Sequence, residues 1–270
     1  MTTVTIDEQI KILEQLVAKA QASERRAPAG IINVMHTHGR NQYLLKDSPQ
    51  ERPGKYLAKD KLPLAAALVQ RDYDREFICA ASAIKKKLLQ IKKSGCERNI
   101  SFLYAALADI YERSAPGRKA LIKPYVLPDA LYIKEWEGMA YRGLSFSEDA
   151  PEIYSERGER VRSKSEKMIA DKLLLMKLPY RYECPANIER RHPVYPDFTI
   201  LDVSERRTVI YEHFGMMQDE DYARDALLKI RDYQKAGFQV GRDFLYTMES
   251  SDCPLNMRIF EKMMRDRFFG

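Results

Sequence analysis

The chain has 270 residues, 45% of them hydrophobic and 31% charged, with a net charge of +6 and a pI near 9.0. That is the balance of an ordinary globular protein of one large domain or two modest ones. No stretch approaches the roughly 20 uninterrupted apolar residues of a membrane span, and the opening MTTVTIDEQIKILEQLV carries acids and lacks the pattern of a signal peptide. A membrane protein is therefore excluded, and a cytoplasmic location is expected. Cys79, Cys96, Cys184 and Cys253 are widely spread, with no C-x-x-C pair. They read as free thiols of a reducing compartment, not as a zinc or redox motif.

The basic excess lies in one half of the chain. Residues 1–150 hold 24 Lys and Arg against 18 Asp and Glu, whereas residues 151–270 hold 21 of each. A basic module beside a neutral one fits polyanion binding by the first and chemistry by the second. Residues 6–23 place Ile10, Leu13, Leu16, Val17 and Ala20 three and four apart. This predicts an amphipathic helix, ended by Ala27-Pro28-Ala29-Gly30. Its stripe is free to pack within the chain or against a second copy, so a homodimer stays open.

Residues 31–46, interrupted at His38-Gly39-Arg40-Asn41, predict a β-hairpin, and Pro53-Gly54 leads to a short third strand at 55–57. A long helix over 62–94, a helix over 100–113 and a helix through Trp136 follow. The polar, irregular stretch from Gly143 to Gly158 is the expected boundary. The chain thus divides into a helix over 1–26, a basic region over 27–157 and a domain over 158–270. The basic region is a DNA-binding or scaffold module, with Arg40 and Lys55 as candidate phosphate contacts. Lys85-Lys86-Lys87 reads equally as a solvated helix face. His36 and His38 have no acidic or cysteine partners nearby to make a metal site.

Beyond residue 158 the pattern is a helix, three strand-like runs, a helix, a strand and a last helix. The stripe Ile169, Ala170, Leu173, Leu174 projects backward onto Glu166, a carboxylate on a buried face that needs an ion pair or a cation. Asp197 sits in the otherwise apolar run Pro193–Leu201. After the polar turn Ser204-Glu205-Arg206-Arg207, the run Thr208–Gly215 is apolar on both faces until Glu212, which marks a central strand. Asp197 and Glu212 then lie on adjacent strands, where cross-strand side chains approach within about 5 Å. Their repulsion raises one pKa, and a hard divalent cation removes the conflict. His213 points to the face opposite Glu212. Further on, a helix over 219–236 carries the stripe Ala223, Ala226, Leu227, Ile230, with Lys229 at its edge and Tyr222 and Tyr233 on the lysine's own face.

Ser163-Lys164-Ser165-Glu166, Tyr195-Pro196-Asp197-Phe198, Tyr211-Glu212-His213-Phe214-Gly215, and Lys229 with Tyr233 occur in this order over roughly residues 159–250. Together they resemble the PD-(D/E)XK nuclease superfamily, in the branch with a Glu-His-x-Gly strand end that includes nuclease-like domains on superfamily 1 helicases. The resemblance implies an α+β architecture: a basic, mainly helical N-terminal half with a small hairpin, and a C-terminal restriction-endonuclease-like mixed sheet flanked by helices. It also implies metal-dependent hydrolysis of DNA phosphodiester bonds in DNA processing or phage defence. Asp197, Glu212 and the backbone carbonyl of His213 would bind Mg²⁺ or Mn²⁺, with Glu166 completing the shell directly or through water. The superfamily's lysine position is Phe214 here. Lys229 is the candidate for a migrated lysine, with Lys164 second and Tyr233 beside it. Arg190 and Arg191, with His192, form a basic turn expected to lie near DNA. Two rival readings keep the fold: a degenerate module that binds DNA without cutting it, and a partner subunit of a helicase or defence complex. DNA and RNA are not distinguished by these residues.

Overall fold

A reciprocal cap starts the first helix: Thr5 Oγ1 accepts the N–H of Glu8 at 3.2 Å and Glu8 Oε2 accepts that of Thr5 at 2.8 Å. The structure is a computed structural model that describes residues 5–37, 39–52, 54–94, 103–186 and 193–269. Its contacts divide the chain into two compact units, Thr3–Tyr132 and a second from Ile133 onward.

In the first unit, α1 (Ile6–Arg26) lays Leu13 and Ala20 into the core. The strands β1 (Ile31–Thr37), β2 (Arg40–Lys46) and β3 (Lys55–Tyr56) form an antiparallel sheet in that order. Gly39, at φ +74°, supplies the left-handed backbone that the hairpin turn needs. The helices α2 (Leu62–Ser94), α3 (Leu103–Glu112) and α4 (Pro116–Lys119) complete the unit. Leu68, Val69, Phe77 and Leu88 of α2 are fully buried, together with Leu107 of α3. One face of the sheet packs inward through Ile32 and Tyr43, whose hydroxyl donates to the Gly117 carbonyl at 3.2 Å. The buried Arg71 donates to the carbonyls of Pro28 (3.0 Å) and Gly30 (2.8 Å), tying α2 to the entry of the hairpin. The first helix is therefore part of this unit and not a segment of its own.

The second unit begins inside α5 (Asp129–Gly138). The expected boundary at 157/158 is thus too late. The polar stretch before it holds Phe146 and Ile153, which pack on the second unit's core, and its strand β4 (Ile153–Tyr154) pairs across the expected boundary with β5 (Arg160–Val161). Its few apolar residues hid that hairpin among turn formers. Then come α6 (Lys164–Leu175), β6 (Tyr180–Tyr182), β7 (Phe198–Asp202), β8 (Arg207–Phe214), α7 (Glu220–Lys235), β9 (Phe244–Met248) and α8 (Met257–Phe268). The main sheet has the order β6-β7-β8-β9, antiparallel through β8 and parallel between β8 and β9. The architecture is α+β with a mixed sheet, as expected. The α7 crossover is what makes the last pair parallel.

Helices cover both faces of this sheet. Tyr180, Tyr182, Phe198 and Tyr211 on one face meet Ile169, Ala170 and Leu173 of α6 and Phe260 and Met264 of α8. Ile210 and Phe244 on the other meet Tyr233 of α7. Two stripe residues are corrected. Leu174 is 42% exposed and Leu227 61% exposed, because the inward arc of each helix is narrower than the apolar run that marks it. Among the described residues no helix is long and apolar enough to cross a membrane.

This assignment of faces sets an expected contrast. Ile169→Ala, at a fully buried position, should cost about 2–5 kcal/mol in urea unfolding, whereas Leu174→Ala should fall within about 0.5 kcal/mol of wild type.

Candidate functional site

The ends of β7 and β8 place the two acids. The strand β7 begins at Phe198, so Asp197 stands just ahead of it and not within it. Its carbonyl still accepts the Glu183 N–H at 3.1 Å, and its carboxylate Oδ2 accepts the main-chain N–H of His213 at 2.6 Å. The side chain thereby continues the ladder where the strand has not yet begun. With Phe198 opposite Tyr211, Asp197 falls opposite Glu212.

Glu212 is 1% exposed. Such a carboxylate is tolerable only when its lone pairs are met. The helix α7 meets both oxygens: Lys229 Nζ donates to Oε2 at 2.8 Å and the Tyr233 hydroxyl to Oε1 at 2.6 Å. Lys229 and Tyr233 are four residues apart, so one helical face delivers both. The same helix is capped by Asp219, whose side chain accepts the Tyr222 N–H at 2.9 Å, and the Tyr222 hydroxyl in turn accepts the Gly215 N–H at 3.2 Å. Phe214, where the superfamily pattern has its lysine, is buried against Tyr246. The cation reaches Glu212 from the covering helix instead. Lys164 is exposed on the first turn of α6.

Burial raises the pKa of Glu212 above the ordinary carboxylate range, opposed by Lys229 and Tyr233. Asp197 is pushed well above that range, first by burial and then by the Glu212 charge, with a smaller contribution from Glu166. Asp197 keeps some contact with solvent at its edge, while the protein around it holds back most of the hydration its charge would have.

Glu166 is near enough to act on Asp197 through its charge but is engaged elsewhere. Its Oε2 accepts the Arg162 N–H at 2.9 Å and the Tyr182 hydroxyl at 2.7 Å. His213 turns its ring to the face opposite Glu212. Nδ1 is 2.9 Å from Thr247 Oγ1, and Nε2 is 3.0 Å from Glu249 Oε1. Glu249 also accepts the Ser165 hydroxyl at 2.6 Å and the Leu255 N–H at 2.9 Å, and these bonds hold its pKa below the usual range against the cost of burial. Tyr182, Thr247 and Glu249 have no partner that local sequence reveals, and Ser165 stands there only as part of the motif around Glu166. Thr247 and Glu249 depend on register, since the parallel pairing of β8 with β9 brings residue 249 beside residue 213, whereas Ser165 and Tyr182 depend on the docking of α6, which sets them against Glu249 and Glu166.

The donor set is one a hard cation fits. Two carboxylates face each other with a single ammonium beside Glu212, which leaves the cluster short of positive charge. Mg²⁺ takes one or two carboxylates and fills its remaining positions with water and phosphate oxygens. Among the described residues no group of three or more His, Cys, Asp and Glu side chains converges as a closed cage would. Asp197 and Glu212 are the two carboxylates that an open site would use.

Of the candidate nucleic-acid contacts, Arg40 is exposed at the start of β2. Lys55 ion-pairs with Asp47 at 3.1 Å. Arg190, Arg191 and His192 lie outside the described residues. No family model, curated protein or solved structure matches the chain.

The raised pKa of Asp197 has a sign that unfolding can read. The folded state holds the proton more tightly than the unfolded chain, so wild-type stability should fall as pH rises from the ordinary aspartate range through the elevated folded value. In EDTA, Asp197→Asn should therefore be more stable than wild type at neutral pH. The gap should close toward pH 4 in thermal melts across the range.

Proposed function

We propose that the chain is a metal-dependent nuclease of the PD-(D/E)XK type that hydrolyses DNA phosphodiester bonds. The observation that carries this reading is the ion pair of Lys229 with Glu212 beside Asp197. A buried lysine–glutamate pair alone would be structural. A second carboxylate beside it, at the start of the neighbouring strand, does more than accepting the His213 N–H requires, since a neutral acceptor would serve there, and its charge is a standing electrostatic cost.

In this reading Asp197 and Glu212 hold Mg²⁺ or Mn²⁺ by their carboxylate oxygens, with the His213 carbonyl as a further donor and Glu166 acting through water. The cation, when bound, polarises the scissile phosphate and lowers the pKa of an attacking water. The chain's own residues do the rest. The His213 N–H fixes the Asp197 carboxylate, and the Tyr233 hydroxyl fixes that of Glu212, so neither has to reorganise when substrate arrives. Lys229 keeps an ammonium at the same end of the strand, where it neutralises negative charge growing on the phosphate or orients the water. Its reach from a helix replaces the strand lysine that Phe214 excludes. The basic excess of residues 1–150 supports a polyanionic substrate. A role in DNA processing or phage defence, alone or with a helicase partner, rests on the resemblance.

Digestion of linear and circular DNA with Mg²⁺, Mn²⁺ or EDTA tests the reading. Cutting should require the cation, and Lys229→Ala should lower it about a hundredfold or more while melting cooperatively. Undiminished cutting by Asp197→Ala would remove the site. Absence of cutting by wild type with either cation, with DNA still bound, would favour the non-cleaving module.

A further inference from the structure

The three-stranded sheet of the first unit has a second face that its helices do not use. Pairing of Ile31 with Lys46, Asn33 with Leu44, Met35 with Gln42 and Thr37 with Arg40 puts these eight residues on one side, with Tyr56 beside Leu44. The alternate residues, Ile32, Val34, Tyr43 and Leu45, pack inward. Met35 is 47% and Tyr56 64% exposed.

The chemistry of this outward face is specific. Within the strands it carries two cations, Arg40 and Lys46, and no carboxylate. They stand at opposite ends of β2, about 20 Å apart at the usual rise per residue. Between them are the amides of Asn33 and Gln42, side chains that both donate and accept and that pair with base edges. A ribbon of two strands fits lengthwise in the B-form major groove, about 12 Å wide, and cations at the two ends of the ribbon reach the phosphates that border the groove there. The deep, narrow major groove of A-form RNA does not admit such a ribbon. Single strands are held on stacked aromatic platforms, and among the described residues Tyr56 is the one aromatic side chain on this face, since Tyr43 points inward.

We propose that the outward face of β1-β2-β3 docks in the major groove of duplex DNA, with Arg40 and Lys46 on the flanking phosphates and Asn33 and Gln42 on base edges. This deepens the nuclease reading by naming its substrate as double-stranded DNA, and it is tested without cleavage. Lys55, paired through Leu45 to the other side of the sheet, takes no part.

Fluorescence anisotropy of the full wild-type chain in EDTA, with labelled duplex DNA, single-stranded DNA and duplex RNA, decides it. Duplex DNA should bind at least tenfold more tightly than either alternative. Arg40→Ala with Lys46→Ala should weaken it tenfold or more and reduce the slope of log K against log salt by about 2. Lys55→Ala should change affinity less than about twofold, and all variants should melt like wild type because the substituted side chains are not in the core. Equal binding of single strands or duplex RNA would overturn the proposal, as would a double variant that binds like wild type, or no nucleic-acid binding at all. Tight duplex binding without cutting on later addition of Mg²⁺ would refute the nuclease reading and leave this one standing.

Discussion

Glu212 is the constraint on which the second unit is organised. A carboxylate that is almost wholly withdrawn from water, on the central strand of a sheet, is worth several kcal/mol against folding unless its oxygens are met. Lys229 and Tyr233 meet one oxygen each. That requirement dictates the face α7 presents. It explains why a helix of low overall hydrophobicity docks with a lysine and a tyrosine turned inward and Leu227 turned out. An apolar residue at position 212 would let the same sheet pack without any of this. The acid stands there at a cost, and the neighbouring Asp197 adds to that cost without contributing to packing. Both facts are what a site would leave behind.

The two faces of β8 divide the labour. On one, Glu212 faces Asp197 and α7. On the other, His213 is held between Thr247 and Glu249, and Glu249 bonds to Ser165 beside Glu166. The main chain of His213 joins them, because its N–H is the donor to Asp197. Strand alternation therefore lets one segment anchor the site on one side and fasten the start of α6 on the other. The position of Glu166 follows from this fastening as much as from its own bonds to Tyr182 and Arg162.

Much of this was legible in the chain. Uninterrupted apolar character marked β8 as central, and alternation put Glu212 and His213 on opposite faces, since both follow from local periodicity. Helical spacing put Lys229 and Tyr233 on one face. The misreadings have a common cause in tertiary context. Leu174 and Leu227 belong to apolar runs, but the width of the buried arc depends on how closely the opposing sheet approaches. The strand propensity of its neighbours places Asp197 within a strand, while the ladder begins one residue later. Glu249, Thr247 and Ser165 carry no local signal of partnership, since nothing in the chain before folding gives the parallel register. Polarity alone puts the unit boundary in the stretch from Gly143 to Gly158, yet Phe146 and Ile153 within it pack on the second core. The side of the sheet that Lys55 takes, and its pairing with Asp47, likewise follow from strand register and not from local sequence.

The central claim is that Asp197 and Glu212 form a cation site. Titration calorimetry of Mn²⁺ into the full chain, for wild type and for Asp197→Asn, tests it most directly. Saturable binding of one or two ions by wild type, lost or weakened at least tenfold in the variant while its melting stays cooperative, is the result the account requires. Absence of binding by wild type, or equal binding by the variant, would contradict it.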